Sequence, residues 1–145
     1  MSDKKFSWQP CVDPNQWQQL VGASPQGTIF SEQAYLELCA CPFDQFLIYQ
    51  GEEIKAGVCV VRSHDGLGCV IDDLVIHNGI LFWPNPSKKQ VRQKFEQFEL
   101  TVFAIEQLIK LFPHIELALA PQFEDMRPFL WHEYFESDDK KKFLL

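Results

Sequence analysis

The residues predict a single α/β domain built on one mixed sheet, and three observations carry that prediction. Apolar residues follow helical spacing near the N-terminus, strand-like runs from about residue 46 to 83, helical spacing again from 91 to 112, and a strand run after 115. A 145-residue chain is the size of one ordinary domain. Its composition, 46% hydrophobic and 23% charged, suits a packed core rather than a disordered or low-complexity chain.

Taken in order, residues 1–12 form an arm or first strand. Asp13 and Pro14 then open a helix, as N-cap and first helical position, with Trp17, Leu20 and Val21 on its apolar face. The stretch Gly22 to Gly27, with Ser24-Pro25 inside it, ends that helix. Ser31 is placed to cap a second helix through Ala34, Tyr35 and Leu38, which closes near Pro42. From Phe46 the period changes. Phe46 to Tyr49, a turn at Gln50-Gly51-Glu52, and Ile54 to Val61 read as a hairpin. A second turn at His64-Asp65-Gly66 leads to Cys69–Ile71 and then to Leu74–Trp83. Asn78-Gly79 inside that last run marks a bulge or a close backbone approach.

Asn85-Pro86-Ser87 starts the clearest helix. Val91, Phe95, Phe98, Val102, Ile105, Ile109 and Phe112 alternate steps of four and three, and Pro113 ends the run. Such spacing also suits a coiled coil, but the flanking strands offer a sheet, so this stripe is expected to pack on it. Ile115–Ala120 reads as a strand and Glu124–Trp131 as a short helical or turn segment. Residues 137–142 are a charged loop, and Phe143, Leu144 and Leu145 begin a further strand. The expected order is α-α-β-β-β-α-β-α-β, with the sheet flanked by helices.

Several function classes lack sequence support. Thirteen basic against twenty acidic residues, a net charge of −7, argues against broad nucleic-acid binding. No apolar run is long enough for a membrane span, and the start lacks a secretory leader, so the expectation is cytoplasmic. Cys11, Cys39, Cys41, Cys59 and Cys69 form no disulfide framework or zinc spacing, and read as structural thiols. His64, His77, His114 and His132 are scattered, so no metal site is expected. Adjacent Asp72 and Asp73 would point to opposite faces of a strand, which argues against a carboxylate dyad from that pair.

Two clusters are candidates for binding. Lys88, Lys89, Arg92 and Lys94 crowd a helix start. With Ser87 and the first-turn N–H groups they could hold an anion or phosphate, though a solvated basic face that pairs with Glu96 and Glu99 is the simpler reading. Asp125 and Arg127 before Pro128 read as a turn-fixing pair. The Arg fork could instead meet a carboxylate or phosphate.

Local strings add a resemblance that covers nearly the whole chain. The element order matches the GNAT acyltransferase fold. Gly27-Thr-Ile-Phe-Ser-Glu-Gln-Ala-Tyr35, the hairpin Phe46 to Val61, His77-Asn78-Gly79-Ile80-Leu81-Phe82 and Gln122 to Trp131 with Tyr134 resemble segments of Fem-type peptidoglycan aminoacyltransferases. Tyr35 stands where that family has Trp, and Glu133 where it has Gly. The resemblance is to the first of two GNAT-like halves, whose role would be to shape an acceptor cleft. Its rim candidates are Tyr35, His77, Asn78 and Arg127. The reaction class implied is acyl or aminoacyl transfer to an amine, on a small molecule or a peptidoglycan or polysaccharide precursor.

The glycine-rich acyl-CoA loop of catalytic GNAT domains, Q/R-x-x-G-x-G/A, does not occur, so no cofactor is expected and the isolated chain should be inactive. No catalytic residue is assigned. A last strand at Phe143–Leu145 would need a partner, either a second GNAT-like half or another copy. The rival readings are a stand-alone, self-associating binding module and a small N-acyltransferase with an atypical donor loop.

Overall fold

A computed structural model describes residues 6–40, 42–72, 74–84 and 89–131. The elements are β1 (Phe6–Pro10), α1 (Pro14–Ala23), a 3₁₀ turn (Ile29–Ser31), α2 (Gln33–Leu38), β2 (Phe43–Gln50), β3 (Glu53–Arg62), β4 (Gly68–Val70), β5 (Gly79–Phe82), α3 (Gln90–Leu111), β6 (His114–Ile115) and α4 (Arg127–Trp131). As far as Trp131, helices and strands alternate as expected, except that the strand read over Ile115–Ala120 is reduced to the two-residue β6, His114–Ile115. Cys41, Asp73, residues 85–88 and everything after Trp131, including Ser87, Lys88, His132 and the strand expected at Phe143–Leu145, lie outside the described residues.

The strands form one mixed sheet in the order β1-β2-β3-β4-β6, and β5 also pairs with β3. All pairings are antiparallel except β4 with β6, which is parallel. β3 is the axis of the sheet because its alternation feeds both faces. Ala56, Val58 and Val60 join the core under α3, with Leu100, Ala104, Ile105 and Leu108. Cys59 and Val61 join the opposite core with Trp17, Leu20, Val21 and Leu36 of α1 and α2. Gly57 lies on that second face, where a Cβ would stand 2.3 Å from Leu20 and 2.7 Å from Trp17. The small residue lets α1 seat directly on the strand. Buried Trp17 also donates its indole N–H to the Ser31 carbonyl at 2.7 Å, which ties α1 to the turn before α2.

Asp13 caps α1 as its sequence implies, accepting from the Asn15 N–H at 2.9 Å. Ser31 does not cap α2. It ends a 3₁₀ turn, and Glu32 occupies the cap position without a side-chain bond. The carbonyl that Trp17 takes from Ser31 holds that residue inside the core instead.

The run from Leu74 to Trp83 is shorter as a strand than its composition suggests. Only Gly79–Phe82 joins the ladder, while β4 pairs with Val61 and Arg62 nearer the end of β3. Residues 71–72 and 74–78 lie outside this ladder, with an isolated bridge between Asp72 and Val75. Gly79 marks the re-entry, with φ +103° and a site 2.5 Å from the Leu119 side chain where a Cβ would sit. The close approach expected at Asn78-Gly79 is present.

The long helix departs from expectation in an informative way. Its 4-3 stripe was expected to face the sheet throughout. Ile105 and Phe112 do, but Val91 is 82% and Phe95 58% exposed. Toward the N-terminus the sheet-facing side is instead Glu96, Leu100, Thr101 and Ala104. A strict seven-residue repeat drifts about 20° per heptad around a straight helix. With its C-terminal end buried, the stripe therefore winds out of the core toward its start.

Candidate functional site

A β-bulge builds the most distinctive polar site. In the β2–β3 hairpin Ile48 faces Ala56 while Tyr49 faces Ile54, so Lys55 has no opposite residue. The extra residue breaks the two-residue alternation and re-aims its side chain. Ile54 packs into the core under α1, and Ala56 into the core under α3. Lys55 reaches toward α3, where its ammonium lies 3.9 Å from Glu96 and 3.3 Å from Glu53. The side chains of Lys55 and Glu96 are 11% and 9% exposed. The Lys55 carbonyl accepts from the Trp83 N–H at 2.9 Å, which extends β5 by one rung and sets the indole beside the bulge.

These residues wall a groove of about 430 Å³, lined by Glu52, Glu53, Ile54, Lys55, Trp83, Pro84 and Glu96. A second groove of about 290 Å³ shares Trp83, Pro84 and Glu96 and runs along Gln93 and Gln97. Three carboxylates against one ammonium give the first groove an excess of negative charge. The partly exposed Trp83 adds an aromatic wall suited to a cation. Sequence reasoning missed this site. A Lys within a strand run and a Glu on the core side of a helix were its signals, but only the bulge brings them together.

The four residues named for the acceptor rim do not form one cluster. Tyr35 and His77 meet the edges of Phe30, at centroid separations of 5.5 and 5.8 Å. The Tyr35 hydroxyl also donates to the Leu74 carbonyl at 2.7 Å, fastening Leu74 to α2. Asn78 turns the other way. Its N–H donates to the Ala118 carbonyl at 2.8 Å and its Oδ1 accepts from the Ala118 N–H at 2.9 Å, so it joins the chain after β6 to the sheet. It is buried, and its Nδ2, like His77 Nδ1, has no hydrogen-bond partner among the described residues.

Arg127 stands apart from these. It donates to both Asp125 carboxylate oxygens, at 2.8 and 2.6 Å, and its guanidinium lies 5.2 Å from the Phe98 ring centroid. That bond holds the Asp125 carboxyl below its usual range. The turn-fixing reading of the pair accounts for this geometry.

Of the proposed anion residues, Lys89 and Arg92 are exposed, and Lys89 is the α3 cap position with no side-chain capping bond. Glu96 does not serve the basic face, as expected, but turns inward to Lys55. Asp72 accepts from the Leu74 N–H at 2.8 Å and so caps a turn. Cys59 and Cys69 are buried in strands, where removal from water pushes their thiols up to about 12 and about 11. They are packing residues, not nucleophiles. Among the described residues no group of His, Cys, Asp and Glu could hold a metal ion. No described helix is long and apolar enough to cross a membrane.

Set against known proteins, the chain matches no family model, no curated protein and no solved structure.

Proposed function

We propose that this chain is an amine-recognising, acceptor-side domain of the acyl- or aminoacyl-transfer type, with no acyl-CoA site of its own. The observation that carries the reading is the groove around Lys55, where Glu52, Glu53 and Glu96 face Trp83. A primary ammonium supplies three donors for carboxylates and a charge for the indole face. The pyrophosphate of CoA meets the opposite field there. The order of elements supports the likeness to GNAT-type domains: two helices between β1 and β2, an antiparallel meander, then a crossover through α3 to a strand parallel to β4. In this reading Lys55 sets the spacing of the carboxylates, and an incoming ammonium takes its place beside Glu53.

Calorimetry with ethanolamine, cadaverine and lysine amide tests the proposal, with acetyl-CoA as the contrasting ligand. The expected result is amine binding that quenches Trp83 fluorescence and weakens in Glu53→Gln, with no response to acetyl-CoA. Amines without effect at millimolar concentration, or stabilisation by acetyl-CoA, would overturn it.

A further inference from the structure

The outer edge of the sheet at β6 carries backbone groups that are out of water and without a partner among the described residues. β6 pairs with β4, and the chain after it stays alongside the sheet. The Glu116 N–H donates to the Cys69 carbonyl at 2.8 Å, and the Ala118 N–H to Asn78 Oδ1 at 2.9 Å. The Ala118 carbonyl accepts from the Asn78 N–H at 2.8 Å. Residues 116 and 118 thus direct their backbone groups to the sheet side. In an extended chain the intervening N–H and C=O groups point the other way. Those of Ile115 and Leu117 therefore form an outer edge, and no described residue hydrogen-bonds to them. Yet Ile115 is 2% and Leu117 0% exposed, in the core with Phe123 and Phe129. Buried N–H and C=O groups are almost always paired, so this edge has a strand to receive.

Composition, reach and tethering identify that strand. A strand buried on its faces reads as a continuous apolar run. Outside the described residues the chain has one such triplet, Phe143-Leu144-Leu145. Tyr134-Phe135 is flanked by Glu133 and Glu136, and residues 85–88 hold no apolar side chain of that kind. Residues 1–5 have only Met1 and precede β1, at the opposite end of the sheet. The connection is long enough. Phe129 of α4 lies in the same core cluster as Ile115 and Leu117, and α4 ends at Trp131. Eleven residues, 132–142, then separate Trp131 from Phe143 and can span up to about 36 Å. A tether of that length also holds the triplet at about millimolar effective concentration, which a second copy reaches only in millimolar solution.

We propose that Phe143–Leu145 adds to the sheet as a further strand, pairing within the same chain with the edge at Ile115 and Leu117. The pairing closes this edge, and so opposes the reading of the chain as a self-associating module, in which the same edge recruits another copy. It is independent of the amine groove, whose walls come from residues 52–55, 83–84 and Glu96.

Amide NMR of the full, unaltered chain tests this. The expected result is cross-strand nuclear Overhauser contacts between Leu117 and residues 143–145 in a uniformly labelled sample. The same contacts should be absent from the isotope-filtered spectrum of mixed labelled and unlabelled chains. Amide exchange is the second readout. The Leu117 N–H should exchange at least about a hundredfold more slowly than in an unstructured peptide. Phe143→Pro with Leu144→Pro should raise that rate at least about tenfold while the Val58 amide in β3 stays protected, since one of two successive residues faces the edge and proline has no N–H to donate. Contacts that appear in the filtered spectrum put a second copy on the edge and overturn the proposal. A Leu117 amide without protection overturns it too, as does protection that the proline pair leaves unchanged. If the proline pair also releases Val58, the contacts in the unaltered chain decide.

Discussion

The two faces of α3 invert the usual division of labour. The side against the sheet buries Glu96 and Thr101 beside Leu100, Ala104 and Leu108, while the side turned to solvent carries Val91 and Phe95. Each anomaly has a local cause. Glu96 is tolerated inside because a bulge delivers Lys55 to it, and Thr101 because its hydroxyl bonds back to the Gln97 carbonyl at 2.7 Å. The exposed apolar residues follow from a heptad stripe that drifts around the helix. A buried polar group and an exposed large apolar group are the two departures from ordinary burial that point to function.

The comparison breaks most sharply at the ion pair. Lys55→Met should destabilise the chain by about 3–5 kcal/mol in urea unfolding, because it leaves the Glu96 carboxylate buried without its ammonium. The double change Lys55→Met with Glu96→Met should be near neutral, since it removes both charges. If the single variant costs no more than the double, the pair is solvated and the groove loses its electrostatic definition. Leu108→Ala, on the apolar part of the same face, is expected to cost about 2–5 kcal/mol. Gly79→Ala should cost about 1–3 kcal/mol, from its positive φ and the 2.5 Å approach to Leu119, and thermal melting reads that directly.

Acid titration sharpens the contrast from outside α3. Glu116 is held low by the bond from His114 and then by the Ile71 N–H, and Asp125 by Arg127. A carboxyl lowered in the folded state contributes stability above its unfolded value that disappears as pH falls through the folded one. Stability should therefore hold from neutrality to about pH 5 and decline below the ordinary carboxylate range. The decline should be shallower in Glu116→Gln. Phe95→Ala on the outer face should change monomer stability least, by about 0.5 kcal/mol or less. A large loss there would mean that Phe95 supports the fold despite its exposure.

Legibility in the sequence followed the range of the interactions. The Asp13 cap, the Gly51 and Gly66 turns, the β2–β3 hairpin and the length of α3 all rest on contacts within a few residues. Both turn glycines indeed take positive φ, 62° and 74°. Asn78-Gly79 was readable as an irregularity because only glycine takes its backbone angle easily. Its consequence, that the run Leu74–Trp83 is cut back to Gly79–Phe82 as a strand, depends on the pairing with β3 and was not readable. Ser31 carried a cap signal that a distant Trp17 overrode.

The site divides in the same way. Tyr35 and His77 do share Phe30, but Asn78 and Arg127 serve other contacts, and nothing local distinguished those roles. By itself, the sequence determined the helices, the turns and the apolar content of each strand, since these depend on residue type and short spacing. Tertiary structure alone decided which side of α3 meets the sheet, because that choice is made by the volume available over Ala56, Val58 and Val60 and not by the helix's own periodicity. It also decided that Lys55 and Glu96, 41 residues apart in the numbering, stand together. A one-residue bulge turns a strand side chain to the other face, and no pattern along the chain records where that face lies.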